Sequence, residues 1–246
     1  MNTKYDYDIA LGNTKDAHFE YIYNALSSYS KKIFTDLISH IRGGKVLDLG
    51  CGWTGHYWLL GYIERAESIS LYDYDEKNVA LLSGKINDEV LTEIEKFSGT
   101  ITFLQQKELL STITKEDIAM QLVERVQEIK TFDFLKPNIT KKFNYIFSLE
   151  ALQCVANNEE METAFKTCYD LLEKEGMLLA TLVMKKEINE KANNLISIKL
   201  DGSYIFSEDT VTDTLEKVGF TNITTSMYEI PVTNYEKVLF VIATKP

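Results

Sequence analysis

Asp48, Gly50, Gly52 and Gly55 stand in the run VLDLGCGWTGHYWLL, and Asp73 follows 18 residues after Gly55. Glycines at this spacing let the backbone turn sharply and let a ligand approach it closely. An acid ending the next apolar run offers two acceptor oxygens, enough for both hydroxyls of a ribose. The stretch therefore reads as a site for a nucleotide-like ligand. Two chemistries compete. A dinucleotide sets its pyrophosphate against the helix start that follows the loop, and its strand normally runs apolar up to the first glycine. Asp48 breaks that pattern. S-adenosylmethionine carries an ammonium, a sulfonium and a carboxylate but no phosphate, so an acid beside the loop helps. Asp48-x-Gly50-x-Gly52 suits it better, and Gly55 is incidental to that reading.

The elements that must position these residues alternate. Residues 16–41 carry apolar side chains near helical spacing (Phe19, Ile22, Tyr23, Leu26, Ile33, Phe34, Leu37, Ile38, Ile41) and are predicted helical, ending at RGG. KVLDLG is a short apolar strand, TGHYWLLGYIERA a helix and SISLYDY a second strand. EKNVALLSGKINDEVLTEIEKF reads as helix interrupted near Ser83 and Gly84, TITFLQQ as a strand, and TKEDIAMQLVERVQEI as an amphipathic helix before the extended KTFDFL. KFNYIFSLEAL is a strand, NEEMETAFKTCYDLLEKEG a helix ending at Gly176, and MLLATLVM a buried strand. Ser207 is expected to cap a helix ending at Gly219, and two β-rich runs close the chain. Alternation implies parallel strands joined by helical crossovers, with a final antiparallel pair. The expected fold is α/β: a doubly wound, mostly parallel seven-stranded sheet of Rossmann-like type with a C-terminal antiparallel hairpin and an N-terminal helical lid. One domain, 1–246, is expected, with lid segment 1–42 and core 43–246.

Bulk properties narrow the partners. The 246 residues include 45% hydrophobic and 26% charged positions, an ordinary globular balance able to bury a core. A net charge of −11 argues against nucleic-acid and anionic-membrane partners, which call for basic surfaces. Three cysteines without a C-x-x-C and three dispersed histidines support neither a disulfide framework nor a metal site. With no signal-like N-terminus and no 18-residue apolar run, a cytoplasmic setting is the expectation.

The ordered set DLGCGWTGHYWLL, SISLYDYDEKNVALL, VQEIKTFDFLK, FNYIFSLEALQCV and CYDLLEKEGMLLATLV resembles the motifs of class I S-adenosylmethionine-dependent methyltransferases. Asp73-Tyr74 with Asn78 after three further residues, Thr54 and Tyr57 behind the glycine loop, Phe132-Asp133-Phe134 after a long insert, and the final EKVLFVIATKP are similar to the nicotinamide/phenylethanolamine/indolethylamine N-methyltransferase family. Departures stand beside these matches. The loop is one residue longer and holds Trp53 and His56, Leu182 occupies the position of the family's substrate-gripping acid, and the segment from Lys185 to Ile205 is longer.

The resemblance implies S-adenosylmethionine as cofactor and methyl transfer to a small-molecule acceptor, with nitrogen the first expectation. Oxygen or sulfur methylation, a non-catalytic cofactor-binding relative and a nicotinamide-dependent oxidoreductase are the alternatives. It implies that Gly50 and Gly52 admit the methionine part, that Asp48 or a bridging water faces its ammonium (a strand-end acid capping local amides being the alternative), and that Tyr57 meets its carboxylate or serves the core. Asp73, with Tyr74 and Asn78 beside it, would hold the ribose, and Asp133 and Phe134 would meet the adenine. The aromatic N-terminal segment (Tyr5, Tyr7, Phe19, Tyr21, Tyr23, Tyr29) would close over the cofactor or pack on the domain edge, with Tyr23 the contact chosen. His18 and Glu150 are candidate bases by position, each with a structural role as the alternative. SLEALQ after the fourth strand lacks the N-P-P-Y or D-P-P-Y run of nucleic-acid methylases.

Overall fold

The computed structural model describes residues 26–184, 207–232 and 235–246. Its centre is a seven-stranded sheet in the order β3-β2-β1-β4-β5-β7-β6. The strands are β1 (Lys45–Leu49), β2 (Ser68–Asp73), β3 (Val126–Thr131), β4 (Phe143–Leu149), β5 (Leu172–Met184), β6 (Thr221–Val232) and β7 (Tyr235–Thr244). β1 pairs in parallel with β2 and β4, β2 with β3, and β4 with β5. β7 runs antiparallel to both β5 and β6. The chain reverses its winding between β1 and β4, so the C-terminal ends of β1, β2 and β4 border one crevice, the usual ligand position in such sheets.

Alternation along each strand separates two cores. Val46, Ile69, Leu71 and Phe147 face one layer, while Leu47, Leu49, Tyr72 and Ile146 face the other. The first layer holds α1 (Ser28–Lys32), α2 (Gly55–Leu59), α3 (Glu76–Asn87), α4 (Val90–Glu95), α5 (Ser98–Gln106) and α6 (Lys115–Arg125); the second holds α7 (Asn158–Leu171) and α8 (Glu208–Val218). Ser207 caps α8 by accepting from the Thr210 amide. In α6 the Thr114 and Asp117 side chains each bond the other's backbone amide, a reciprocal cap.

The local structure differs from the pattern in five places. Within the described part of the helix predicted over 16–41, regular helix begins only at Ser28, because Leu26 is left-handed (φ 41°) and Ser27 caps the following turn through Ser30 N. It then loosens into a π turn over Ile33–Leu37 and a 3₁₀ turn over Ile38–His40. Residues 1–25, including most of the expected lid with Tyr23 and His18, lie outside the described residues, as does 185–206. The helix after the glycine loop is regular only to Leu59. α3 runs through Ser83 and Gly84 and ends at Asn87. TITFLQQ is helical: Thr100, Ile101 and Leu104 fall on one buried face at helical spacing, and that burial outweighs β-branched propensity. Two helices convert directly into strands, at Val126 and Leu172, earlier than predicted, as the backbone groups pass to strand neighbours.

Candidate functional site

Asp48 lies in β1, paired with Leu71 and Phe147. Its side chain is buried at 2% exposure, and its Oδ2 has no hydrogen-bond partner. Burial, with the nearby Asp73 charge adding, pushes this carboxyl well above its ordinary value. A lone buried acid of this kind calls for a cation or polar group above it.

Beyond β1 the chain crosses the tip of β2, where the Gly50 and Cys51 amides donate to the Tyr72 carbonyl at 2.7 and 3.1 Å. Gly50 and Gly52 both take left-handed backbone angles, φ 79° and 58°. Their reasons differ. A Cβ at Gly50 would overlap the Ala151 side chain, whereas a Cβ at Gly52 would meet nothing within 4 Å. The close approach expected of both glycines thus divides: the end of β4 packs on Gly50, and Gly52 presents open space. Gly55 is a packing residue, since a Cβ there would meet Cys51 Cβ at 2.9 Å and the Asp48 carboxylate at 3.7 Å.

Asp73 ends β2 beside this loop. Its Oδ2 accepts from the Gly52 amide at 2.8 Å, and its Oδ1 accepts from the Asp75 amide at 2.9 Å and Asn78 Nδ2 at 3.1 Å. The carboxylate ties the glycine loop to the start of α3, and Asn78 supports it. Of roughly four lone-pair positions on a carboxylate, three are taken. Tyr74 points outward, 72% exposed. The next strand is close: the Phe132 amide donates to the Asp73 carbonyl at 2.8 Å. Asp133 then accepts from the Leu135 amide, while Phe134 leans on the second core layer.

Tyr57 is fully buried in α2, its hydroxyl hydrogen-bonded with Thr100 Oγ1 at 3.1 Å and its ring against Phe34, Trp58 and Phe97. Burial lifts its hydroxyl to about 12. Of the two roles expected for Tyr57, this geometry supports the core role.

Glu150 leaves the end of β4 at a left-handed φ of 54°. Its Oε1 accepts from the Tyr29 hydroxyl at 2.6 Å, and its amide donates to the Thr181 carbonyl. Burial raises its carboxyl above the ordinary value, and the Tyr29 bond opposes that. Tyr29 stacks on Tyr228 at 5.9 Å and meets Phe240 edge-on. Glu150 and Tyr29 were visible as candidates; Thr181 and Tyr228 were not, since the parallel pairing of β4 with β5 brings the first and the antiparallel hairpin the second. Leu182 is buried in the second core layer.

Among the described residues no cluster of His, Cys, Asp or Glu has metal-holding geometry, and no helix is long and apolar enough to cross a membrane.

A parallel sheet of this order, finished by an antiparallel hairpin and carrying a glycine loop after β1 and an acid at the tip of β2, defines the class I S-adenosylmethionine-dependent methyltransferase fold. The profile of the NNMT/PNMT/TEMT family matches residues 14–246, and the chain belongs to that family of S-adenosylmethionine-dependent methyltransferases. Solved structures agree on the fold. The N-methyltransferase NodS from Bradyrhizobium japonicum WM9, in complex with S-adenosyl-L-homocysteine, superposes with a TM-score of 0.61 at 12% identity over 100% of both chains. Magnesium protoporphyrin IX methyltransferase from Synechocystis PCC 6803 gives 0.56 at 16% identity, covering 88% of this chain and 84% of its own. TehB from Haemophilus influenzae gives 0.54 at 20%, covering 95% and 68%. No curated protein sequence matches.

Proposed function

We propose that the protein transfers the methyl group of S-adenosylmethionine to a nitrogen atom of a small-molecule acceptor. The observation that carries this reading is the anchored Asp73 carboxylate beside the open face of Gly52. The residues present fit the cofactor. Asp73 keeps one free acceptor position for a ribose hydroxyl, and displacing the Asn78 amide would open a second. Asp48 brings an unpaired buried carboxylate oxygen that a cationic group nearby would hold in its charged form. Asp133, beyond the end of β3, is the acid we assign to the adenine side.

The bound cofactor supplies an electrophilic methyl carbon on positive sulfur. The protein's task is then alignment and exclusion of water. A neutral amine needs no base, but an ammonium acceptor must first lose a proton. Glu150, raised by burial and held by the Tyr29 hydroxyl, is the candidate to take it. The ring wall of Tyr29, Tyr228 and Phe240 beside it suits an acceptor that becomes cationic on methylation. NodS, one structural relative, is described as an N-methyltransferase. A second reading, methylation of oxygen or sulfur, is favoured by Leu182, which leaves no carboxylate at the position of the family acid.

The test is incubation with trideuteromethyl-labelled S-adenosylmethionine and mixed amines, phenols and thiols, read by mass spectrometry. Label on amines supports the proposal. Label confined to phenols or thiols selects the second reading. Cofactor binding with no transfer to any acceptor would mark a non-catalytic relative.

A further inference from the structure

The lengthened loop contains two residues without a role so far, Trp53 and His56. His56 is buried in α2, and its Nε2 lies 3.0 Å from Glu93 Oε2, a partner 37 residues away in α4. Glu93 is itself almost fully buried and is also paired with Lys85 of α3, at 3.5 Å, and with Lys96. The Lys85 ammonium lies 4.2 Å from the centre of the Trp53 ring. Both residues of the loop are therefore tied to one ion pair, His56 through Glu93 and Trp53 through Lys85. The floor beneath them comes from the next helix, α5. Phe97, next to α5, contacts the His56 and Tyr57 rings, and Thr100 holds the Tyr57 hydroxyl.

We propose that Glu93 is a positioning residue for cofactor binding, acting through His56 and Lys85 to hold the Gly52–Tyr57 loop in its binding shape. The inference rests on the cofactor reading of that loop. A carboxylate this deeply buried is retained only with charged partners in good geometry, and replacing such pairs by apolar groups is often neutral for stability. Its value lies in what it fixes. Gly52 has left-handed backbone and open space above it, so its position depends on the contacts its loop neighbours make. Without Glu93, Lys85 loses an ion-pair partner, and His56 loses the carboxylate at its Nε2. Ordering the turn would then be charged to ligand binding and weaken affinity.

The test uses the full chain and S-adenosylhomocysteine binding by calorimetry. Glu93→Gln should weaken binding about tenfold, or about 1.4 kcal/mol, while melting remains cooperative. Trp53→Leu, which removes a ring without stranding a buried charge, should weaken it about threefold. Combining Glu93→Gln with His56→Gln lets two amides hydrogen-bond, so the double variant should lose less than the sum of the single losses. Leu215→Ala, in the opposite core layer, should lower the melting temperature and leave affinity unchanged. Glu93→Gln and Trp53→Leu both binding within twofold of the unaltered chain would overturn the proposal, even with lowered melting temperatures. Should Glu93→Gln not fold, Trp53→Leu alone decides. Failure of the unaltered chain to bind would overturn the cofactor reading and this inference together, a different outcome from failure of the variants.

Discussion

Replacing Asp73 by asparagine probes the site at the group on which most of its bonds converge. The carboxylate accepts from the Gly52 amide on one oxygen and from the Asp75 amide and Asn78 on the other. Asparagine turns one of those oxygens into a donor. Placed at Oδ2, the new NH₂ faces the Gly52 N–H; placed at Oδ1, it faces the Asp75 N–H. Either way at least one part-buried amide loses its acceptor, at a cost of about 1 kcal/mol to the fold. The ligand loses charge-assisted acceptance of its ribose, worth about 1.5–3 kcal/mol. At 1.4 kcal/mol per tenfold, affinity for S-adenosylhomocysteine should fall roughly 10- to 150-fold. Asn78→Ala removes one of three donors and frees a lone pair, so its affinity loss should stay below about fivefold. Calorimetric titration on protein shown to be folded by circular dichroism measures both. Asp73→Asn binding within threefold of the unaltered chain would refute the assignment of the ribose to this acid.

Four further outcomes follow from the geometry. Gly50→Ala should destabilise the fold by several kcal/mol, through overlap with Ala151 and left-handed strain, whereas Gly52→Ala should cost about 1–2 kcal/mol and act mainly on cofactor affinity; thermal melts and titrations separate them. Tyr57→Phe should lower stability by about 1 kcal/mol through loss of the Thr100 bond and leave affinity within twofold; a larger affinity loss would return Tyr57 to the cofactor. If Glu150 takes a proton from the acceptor, kcat should fall as pH drops through its raised value, and Glu150→Gln should lower kcat about 10²-fold or more and remove that acid limb. Burial holds His56 below the ordinary imidazole value; Glu93 favours its charged form, and Lys85 and Lys96 oppose it. The unfolded chain then binds a proton near pH 6.5 that the native chain does not. Stability from this group is therefore complete above that pH and lost as pH falls below it, a slope that His56→Gln should reduce in thermal melts.

The sheet was legible because strand and helix periods alternate cleanly and the glycine loop marks the first crossover. What misled was local chemistry overruled by packing. Thr100, Ile101, Thr102 and Phe103 look like a strand, yet the buried face of α5 needs its apolar residues at helical spacing. The direct passages from α6 to β3 and from α7 to β5 carry no glycine or proline, so no punctuation marks them. In the site, the family resemblance already set Asn78 beside Asp73. The tie between His56 and Glu93 was not legible, since it depends on helices folding back beneath the loop. Gly55 looked incidental because its need arises from Cys51, in contact only after the turn has formed.

The crevice between Gly52 and Asp73 is the proposed seat of S-adenosylmethionine. An experimental structure of the chain with S-adenosylhomocysteine tests it most directly. The ribose hydroxyls should lie on Asp73, the methionine part over Gly52 and the adenine beside Asp133. A ligand bound elsewhere, or one that leaves the Asp73 carboxylate bonded only to Gly52, Asp75 and Asn78, would contradict it.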